Sequence, residues 1–326
     1  MKKRFFILIL FVSIIGFCKA QDIHFSQFDN SPLLINPSLS GEFKGKGRFI
    51  FNYRNQWSSI TKNSFRTYAF SSDCSFFKEK LSAGLFIFKD MAGDGNMSIS
   101  QINLSISSKV KLNKKDFFKL GIQASWSQKH IDMNKLTWNS QYDGNVINPN
   151  LNSGETSYQE NFSYPDFATG ILWTHQLKNK TRLNVGLSAF HVNKPSYNFL
   201  ANTETLNIRW CGHADFSFPL SQGYIVLYPS VLFMQQGASN EINLGAIMKY
   251  NLGNIYRDRG VAKISGIFFG AYYRFNDAII AYMRFNYKSQ FDICLTYDIN
   301  VSKFVVASNA RGGPEISLIY IIPKKI

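Results

Sequence analysis

From residue 46 onward the chain returns again and again to strict alternation of apolar and polar residues, and helical periodicity is nowhere sustained. Ile102, Leu104 and Ile106 alternate with Gln101, Asn103, Ser105 and Ser107. Phe291, Ile293, Leu295, Tyr297 and Ile299 alternate with Asp292, Cys294, Thr296 and Asp298, and Leu183, Val185, Leu187 and Ala189 repeat the pattern against Arg182, Asn184 and Ser188. A period of two places each set on one face of a strand. One apolar face and one polar face describe a wall between lipid and a wet lumen. Inside a bilayer an open sheet leaves backbone groups unpaired at its edges, so strands cross only as a closed barrel. The expected fold is therefore all-β: a transmembrane antiparallel β-barrel. A soluble sandwich is the alternative, with its polar faces outward and a smaller core.

The first 20 residues support export. Lys2, Lys3 and Arg4 precede an apolar stretch from Phe5 to Phe17, and Cys18-Lys19-Ala20 offers small residues before Gln21. This is the pattern of a secretory signal peptide, too short for a spanning helix. Phe17 is bulky where lipoprotein processing at Cys18 needs a small residue. Aromatic residues make up 16% of the chain, with 30 Phe and 16 Tyr, yet mean hydropathy is only −0.13. Abundant aromatics in an overall polar chain suit alternating strands with interfacial girdles, where Trp57, Trp126, Trp173 and Trp210 are expected. Removing Lys2, Lys3, Arg4 and Lys19, four of the +15 formal charges, leaves the mature chain near +11. No nucleic-acid-binding motif accompanies that charge, so anionic outer-membrane lipid or an acidic protein is the expected counterpart. Cys74, Cys211 and Cys294 are too few and too dispersed for a disulfide framework and read as small strand residues, with one bridge left open.

Alternation and turn residues divide residues 46–326 into about fourteen strands, near the ~10 residues a tilted spanning strand needs. They start near Lys46, Arg66, Leu81, Ser98, Phe117, Asp166, Arg182, Leu206, Tyr224, Glu241, Lys263, Ile279, Gln290 and Pro314. An even count puts both ends of the sheet on the periplasmic side and sends connections 91–97, 131–165, 193–205 and 301–313 outward. The connection 252–262 is long yet periplasmic. With Arg257 and Arg259 it is a candidate partner contact.

Between leader and barrel, residues 21–45 form a polar strap punctuated by Pro32 and Pro37, which argue against both helix and interior strand. The strap is expected to lie beneath the lumen or inside it, narrowing any channel. Its runs FSQF (Phe25, Ser26, Gln27, Phe28) and PLLINPSLSG (with Pro32, Asn36, Pro37 and Gly41), followed by YRNQW (with Arg54, Gln56 and Trp57), resemble the opening signature of the PorP/SprF family. The segments LFIFKDMAGDG, VGLSAFHVNKPSYNF and GGPEISLIY extend the resemblance over nearly the whole mature chain. The ending IIPKKI departs from the aromatic terminus common in bacterial barrels, with Tyr320 the nearest substitute.

The resemblance implies an outer-membrane barrel linked to the type IX secretion system and gliding machinery of Bacteroidota. It implies two kinds of partner: the C-terminal region of a secreted adhesin or other cargo, and secretion components in the periplasm and outer membrane. The signature residues just named become candidate contacts, with the strap and connection 252–262 facing periplasmic partners and 131–165 facing cargo. Binding and anchoring, with no cofactor, is the expected role; a passive porin is the alternative.

The residues themselves offer little chemistry. Asp90 and Asp94 in DMAGDGN lack the ligand spacing of a calcium loop, and the five His residues show no paired metal-ligand spacing. No nucleophile elbow or phosphate loop is present, which speaks against an enzyme. Alternation does place charges inward: Arg48, Arg54, Arg209, His213, Asp215, Arg274, Arg284, Asp292 and Asp298. Mixed signs on facing strands are expected to form a luminal ion-pair network that stiffens the interior, the alternative being a pore lining.

Overall fold

The computed structural model describes residues 22–324 apart from 94, 155–159, 178–180, 199–202, 221–223 and 253–264. Fourteen antiparallel strands close into one barrel. In chain order they are β1 (Gly47–Gln56), β2 (Phe65–Phe76), β3 (Leu81–Ala92), β4 (Met97–Lys111), β5 (Asp116–His130), β6 (Asn161–Gln176) and β7 (Arg182–Phe190). After a small separate hairpin, β8 (Ser196–Asn198) and β9 (Thr203–Thr205), follow β10 (Arg209–Leu220), β11 (Ile225–Gln236), β12 (Ser239–Leu252), β13 (Ser265–Arg274), β14 (Ala278–Tyr287), β15 (Phe291–Asn300) and β16 (Arg311–Ile322). Neighbours in sequence pair with one another, β7 pairs with β10, and β1 pairs with β16 from Gly47↔Ile322 to Arg54↔Glu315, so no edge is left open. Among the described residues no helix is long and apolar enough to cross a membrane.

The alternation resolves as expected. Phe49, Phe51, Ile102, Leu104, Ile106, Ile293 and Leu295 face outward, while Asn52, Asn103, Ser105, Asp292, Cys294 and Asp298 are buried on the inner face. Two sequence expectations are adjusted. The sixth strand begins at Asn161, not near Asp166. Pro165 sits opposite Trp126 of β5, on a stretch beyond the β6–β7 pairing that stops at Ala168, so proline is tolerated where only one side is paired. The hairpin β8–β9 occupies what was expected to be a plain loop.

One barrel end carries the longer connections, including 57–64, 131–160 and 301–310; the other carries tight turns at 77–80, 112–115 and 288–290 together with the ends of β1 and β16. In outer-membrane barrels the short-turn end faces the periplasm. The strap does not lie beneath that end. It runs through the lumen, with Asp22 at the loop end against Gln236 and His191, and Lys46 at the turn end, where its N–H reaches the carbonyl of Ile322 at 2.8 Å.

Along that path the strap is helical in short pieces: a 3-10 turn at Phe28–Asn30, α1 (Pro32–Ile35) and a 3-10 turn at Pro37–Leu39. Pro32 and Pro37 each open a turn, where a missing N–H is harmless and the ring's fixed φ fits. The reading of these prolines as excluding helix was too strict for a single turn. Asn36 caps the third piece by accepting the N–H of Ser38 at 2.9 Å.

The luminal strap and its anchors as candidate functional site

Polar strap side chains, not apolar bulk alone, hold the strap in place. Ser26 and Gln27 are completely buried. Their consecutive N–H groups donate to the two carboxylate oxygens of Glu315, at 2.7 and 3.0 Å. The same carboxylate lies 3.0 Å from the Arg54 guanidinium. Ser26 Oγ donates to Asp298 at 2.8 Å and accepts from Arg274, which itself pairs with Asp298 at 2.8 Å. Gln27 Nε2 reaches Thr296 and the carbonyl of Glu315, and Arg54 also donates to the carbonyl of His24. Buried charges are tolerable only when paired, and here two arginines and two carboxylates pair with one another and with the strap, although Arg274 Nε and Asp298 Oδ1 are left without a hydrogen-bond partner among the described residues.

Apolar strap residues grip opposite walls. Phe28 and Ile35 pack with Leu232, Ile247, Tyr272, Ile280 and Tyr282 of β11–β14; the Phe28 and Tyr272 rings meet edge-on at 5.0 Å. Phe25 and Leu33 pack with Ala69, Phe86 and Phe88 of β2 and β3. A third contact closes over β5–β7. Asn36 donates to the carbonyls of Ile171 and Leu187 at 3.1 and 3.3 Å and stands 3.2 Å from His213 Nε2. Gly121 and Gly170 make room there, since a Cβ would collide with the Ser38 backbone or the Asn36 side chain.

At the turn end Asp73 receives Arg48 bidentately, at 2.9 and 2.8 Å, and the N–H of Gly41 at 2.7 Å. Gly41 is left-handed (φ +69°), and a side chain there would strike Ser75 and Ser82. Glu42 pairs with Lys119 and Arg182, and the field of those cations holds its carboxyl at about 2 despite burial. Arg284 binds Asp292 and reaches Asn30, and Tyr282 donates to Asp29 at 2.8 Å.

At the loop end Asp22 is clasped by His191, Arg209 and Gln236, and the far side of the His191 ring faces Asp166 at 2.9 Å. Burial alone would lower the imidazole's pKa, but the Asp22 charge and the contacts from Asp166 push it up to about 9. Because the folded value lies above that of a free histidine, this clasp contributes fully below about pH 6.5 and is lost as pH rises through about 9. Cleavage of the first strap residues by an added protease is expected to stay slow from pH 6 to 8 and to accelerate above 9. A His191→Gln variant, unable to become charged, is expected to show no such step.

The expected luminal residues Arg48, Arg54, Arg209, His213, Asp215, Arg274, Arg284, Asp292 and Asp298 all lie on the inner wall; Asp215 accepts from Asn184 at 2.7 Å, and Arg209 donates to the carbonyl of Leu34. Several of these charges bind the strap and do not merely pair with one another. The expectation that Phe25, Ser26, Gln27, Phe28, Pro32, Asn36 and Pro37 face periplasmic partners is corrected: all are buried in the lumen, where the barrel wall satisfies them. Gln56 and Trp57 lie at the loop end of β1, Trp57 against Phe65 and Phe304 at 5.0 and 5.1 Å. Arg257 and Arg259 with the rest of residues 253–262, Asp94 and the leader lie outside the described residues. Cys74, Cys211 and Cys294 are free thiols. Glu315, Glu42, Asp166 and His191 were missed as anchors, as was Glu241, which stands 3.5 Å from His24 Nδ1 of the strap. Glu315 was within reach, since it shares the inward register of Ser317 on β16.

The sequence segments that stood out are neighbours in space: FSQF meets Glu315 of GGPEISLIY, which pairs with Arg54 of YRNQW, while Asp22 meets His191 of VGLSAFHVNKPSYNF. A family model described as "Type IX secretion system membrane protein PorP/SprF" matches residues 17–320. No curated protein matches. Solved structures of similar shape include the CymD monoaromatic hydrocarbon channel, at 11% identity and TM-score 0.49 over 90% of this chain and 93% of that one. A TodX deltaS2S3 mutant monoaromatic hydrocarbon channel aligns at 8% identity and TM-score 0.49, over 89% and 93% of the two chains. A Pseudomonas aeruginosa FadL homologue aligns at 10% and 0.47, over 85% and 90%.

Proposed function

The chain belongs to the PorP/SprF family of type IX secretion system membrane proteins, and from that premise we propose that it binds a secreted adhesin or similar cargo protein and helps to export it or to anchor it at the cell surface. In this reading the leader is cleaved, the barrel resides in the outer membrane with its loop end outward, and binding rather than chemistry is its work. Its partners are the cargo's C-terminal region and other secretion components; the strap supports these contacts from within as a rigid filling.

The observation that carries this reading is the strap itself. It bridges the β11–β14 wall and the β2–β3 wall, and backbone, charge and aromatic contacts hold it along its whole length. A passive pore needs an open path through its lumen, whereas a docking protein gains from a stiff interior that fixes the shape of its rim. Deleting the gene and comparing surface and medium proteomes by mass spectrometry tests the proposal. Loss of one or a few large surface proteins is the expected result. General collapse of secretion would make the protein a core component of the apparatus, and an unchanged surface would overturn the reading.

A further inference from the structure

Beside the strap a cavity of about 510 Å³ reaches the loop end, where Ala92, Met97 and Ile131 form its rim. Leu33 of the strap and Phe86, Phe88, Ile99 and Phe162 of the wall give it an apolar body. Three carboxylates line it, and they differ. Asp22 and Asp166 are occupied by His191, and Asp22 by Arg209 as well. Asp90 receives only the Thr67 hydroxyl, at 2.6 Å, and no cation lies within ion-pair distance among the described residues. Arg54, whose field reaches Asp90, is itself committed to Glu315 and Asp298. An ionised carboxylate offers several acceptor positions, and leaving them unpaired beside apolar side chains is costly.

We propose that this cavity receives a lysine or arginine side chain of a polypeptide presented at the loop end, its cationic head on Asp90 and its stem along Phe86, Phe88 and Ile99. The shape fits such a group: a long aliphatic stem covers apolar surface while its head seeks an acceptor. Position on the wall sets the orientation. Asp90, Ile99 and Lys129 are in register on β3, β4 and β5, so the Lys129 backbone stands about two strand spacings, roughly 10 Å, from that of Asp90. The ammonium of Lys129 lies over the rings of Phe162 and Tyr164, at 5.9 and 6.0 Å, which leaves the β3 wall as the acceptor side. The proposal rests on reading the barrel as a partner-binding protein.

The test uses the full chain purified in detergent and three fluorescent tripeptides: acetyl-Leu-Lys-Phe-amide and its norleucine and glutamate counterparts. The lysine peptide is expected to bind saturably, and the other two at least about ten-fold more weakly, as a charge-assisted contact predicts. Asp90→Asn is expected to erase that preference. Ala92→Trp, which narrows the rim without touching the strap, is expected to abolish binding while heat-modifiable gel migration persists. Should Asp90→Asn fail to fold, the comparison of lysine with norleucine on the unaltered protein still decides. Equal binding of those two peptides, or no binding, overturns the proposal. Peptide selectivity with an unchanged surface proteome would instead overturn the export function and leave the cavity assignment standing.

Discussion

Replacing Glu315 by alanine is expected to free the first half of the strap from the barrel wall. The substitution strips the acceptor from two consecutive buried N–H groups, those of Ser26 and Gln27, and leaves Arg54 without its closest carboxylate. Breaking a buried ion pair by removing one partner typically costs about 3–5 kcal/mol, and the orphaned donors add to it. Most of that cost falls on strap docking, because the ladder of β16 with β1 and β15 is made by the backbone and survives. Limited proteolysis of folded barrels should show the N-terminal segment cut rapidly in Glu315→Ala, slowly in the unaltered protein, and at an intermediate rate in Glu315→Gln, which keeps an acceptor but loses the charge. Equal protection of the strap in all three would show that the apolar grips alone hold it.

Removing the strap altogether should turn a filled barrel into a conducting one. Barrels of roughly 8 strands are filled by their own side chains, whereas those of roughly 16 leave an aqueous channel. The 14 strands here lie nearer the second case, and the interior is occupied by a second layer of chain: Phe28 and Ile35 against one wall, Phe25 and Leu33 against the other. Reconstituted in planar bilayers, the intact protein is expected to pass little current. A variant lacking residues 22–40, with the leader retained, should show stepwise conductance. Exposed by that deletion, Arg54, Arg274, Asp298 and Glu315 would line the lumen, so the conductance should depend on salt. Large steady conductance from the unaltered protein would favour the passive porin instead.

The barrel was legible because its signal is local and repeated. Ile102, Leu104 and Ile106 announce their face without reference to any other strand, since lipid outside and polar lumen inside impose the same alternation on every strand. The inward charges were legible for the same reason. What alternation cannot convey is which inward residue meets which. Asp298 and Asp292 read alike in β15, yet one binds Ser26 of the strap and Arg274, while the other binds Arg284 and Asn286. The start of the sixth strand was placed near Asp166, past Pro165, because the unpaired side of β6 that accommodates this proline is a property of where β7 ends.

The sequence by itself therefore determined the membrane barrel, its strand number, the sidedness of its residues and its membership in the family. Only the tertiary structure decided that the strap threads the lumen from the loop end and that Glu315, Asp73 and His191 hold it. The contact between Ser26 and Glu315 spans 289 residues of chain. Short-period patterns record the solvent on each side of a strand, while a pairing between distant polar groups comes into being only when closure of β1 on β16 brings them within hydrogen-bond distance.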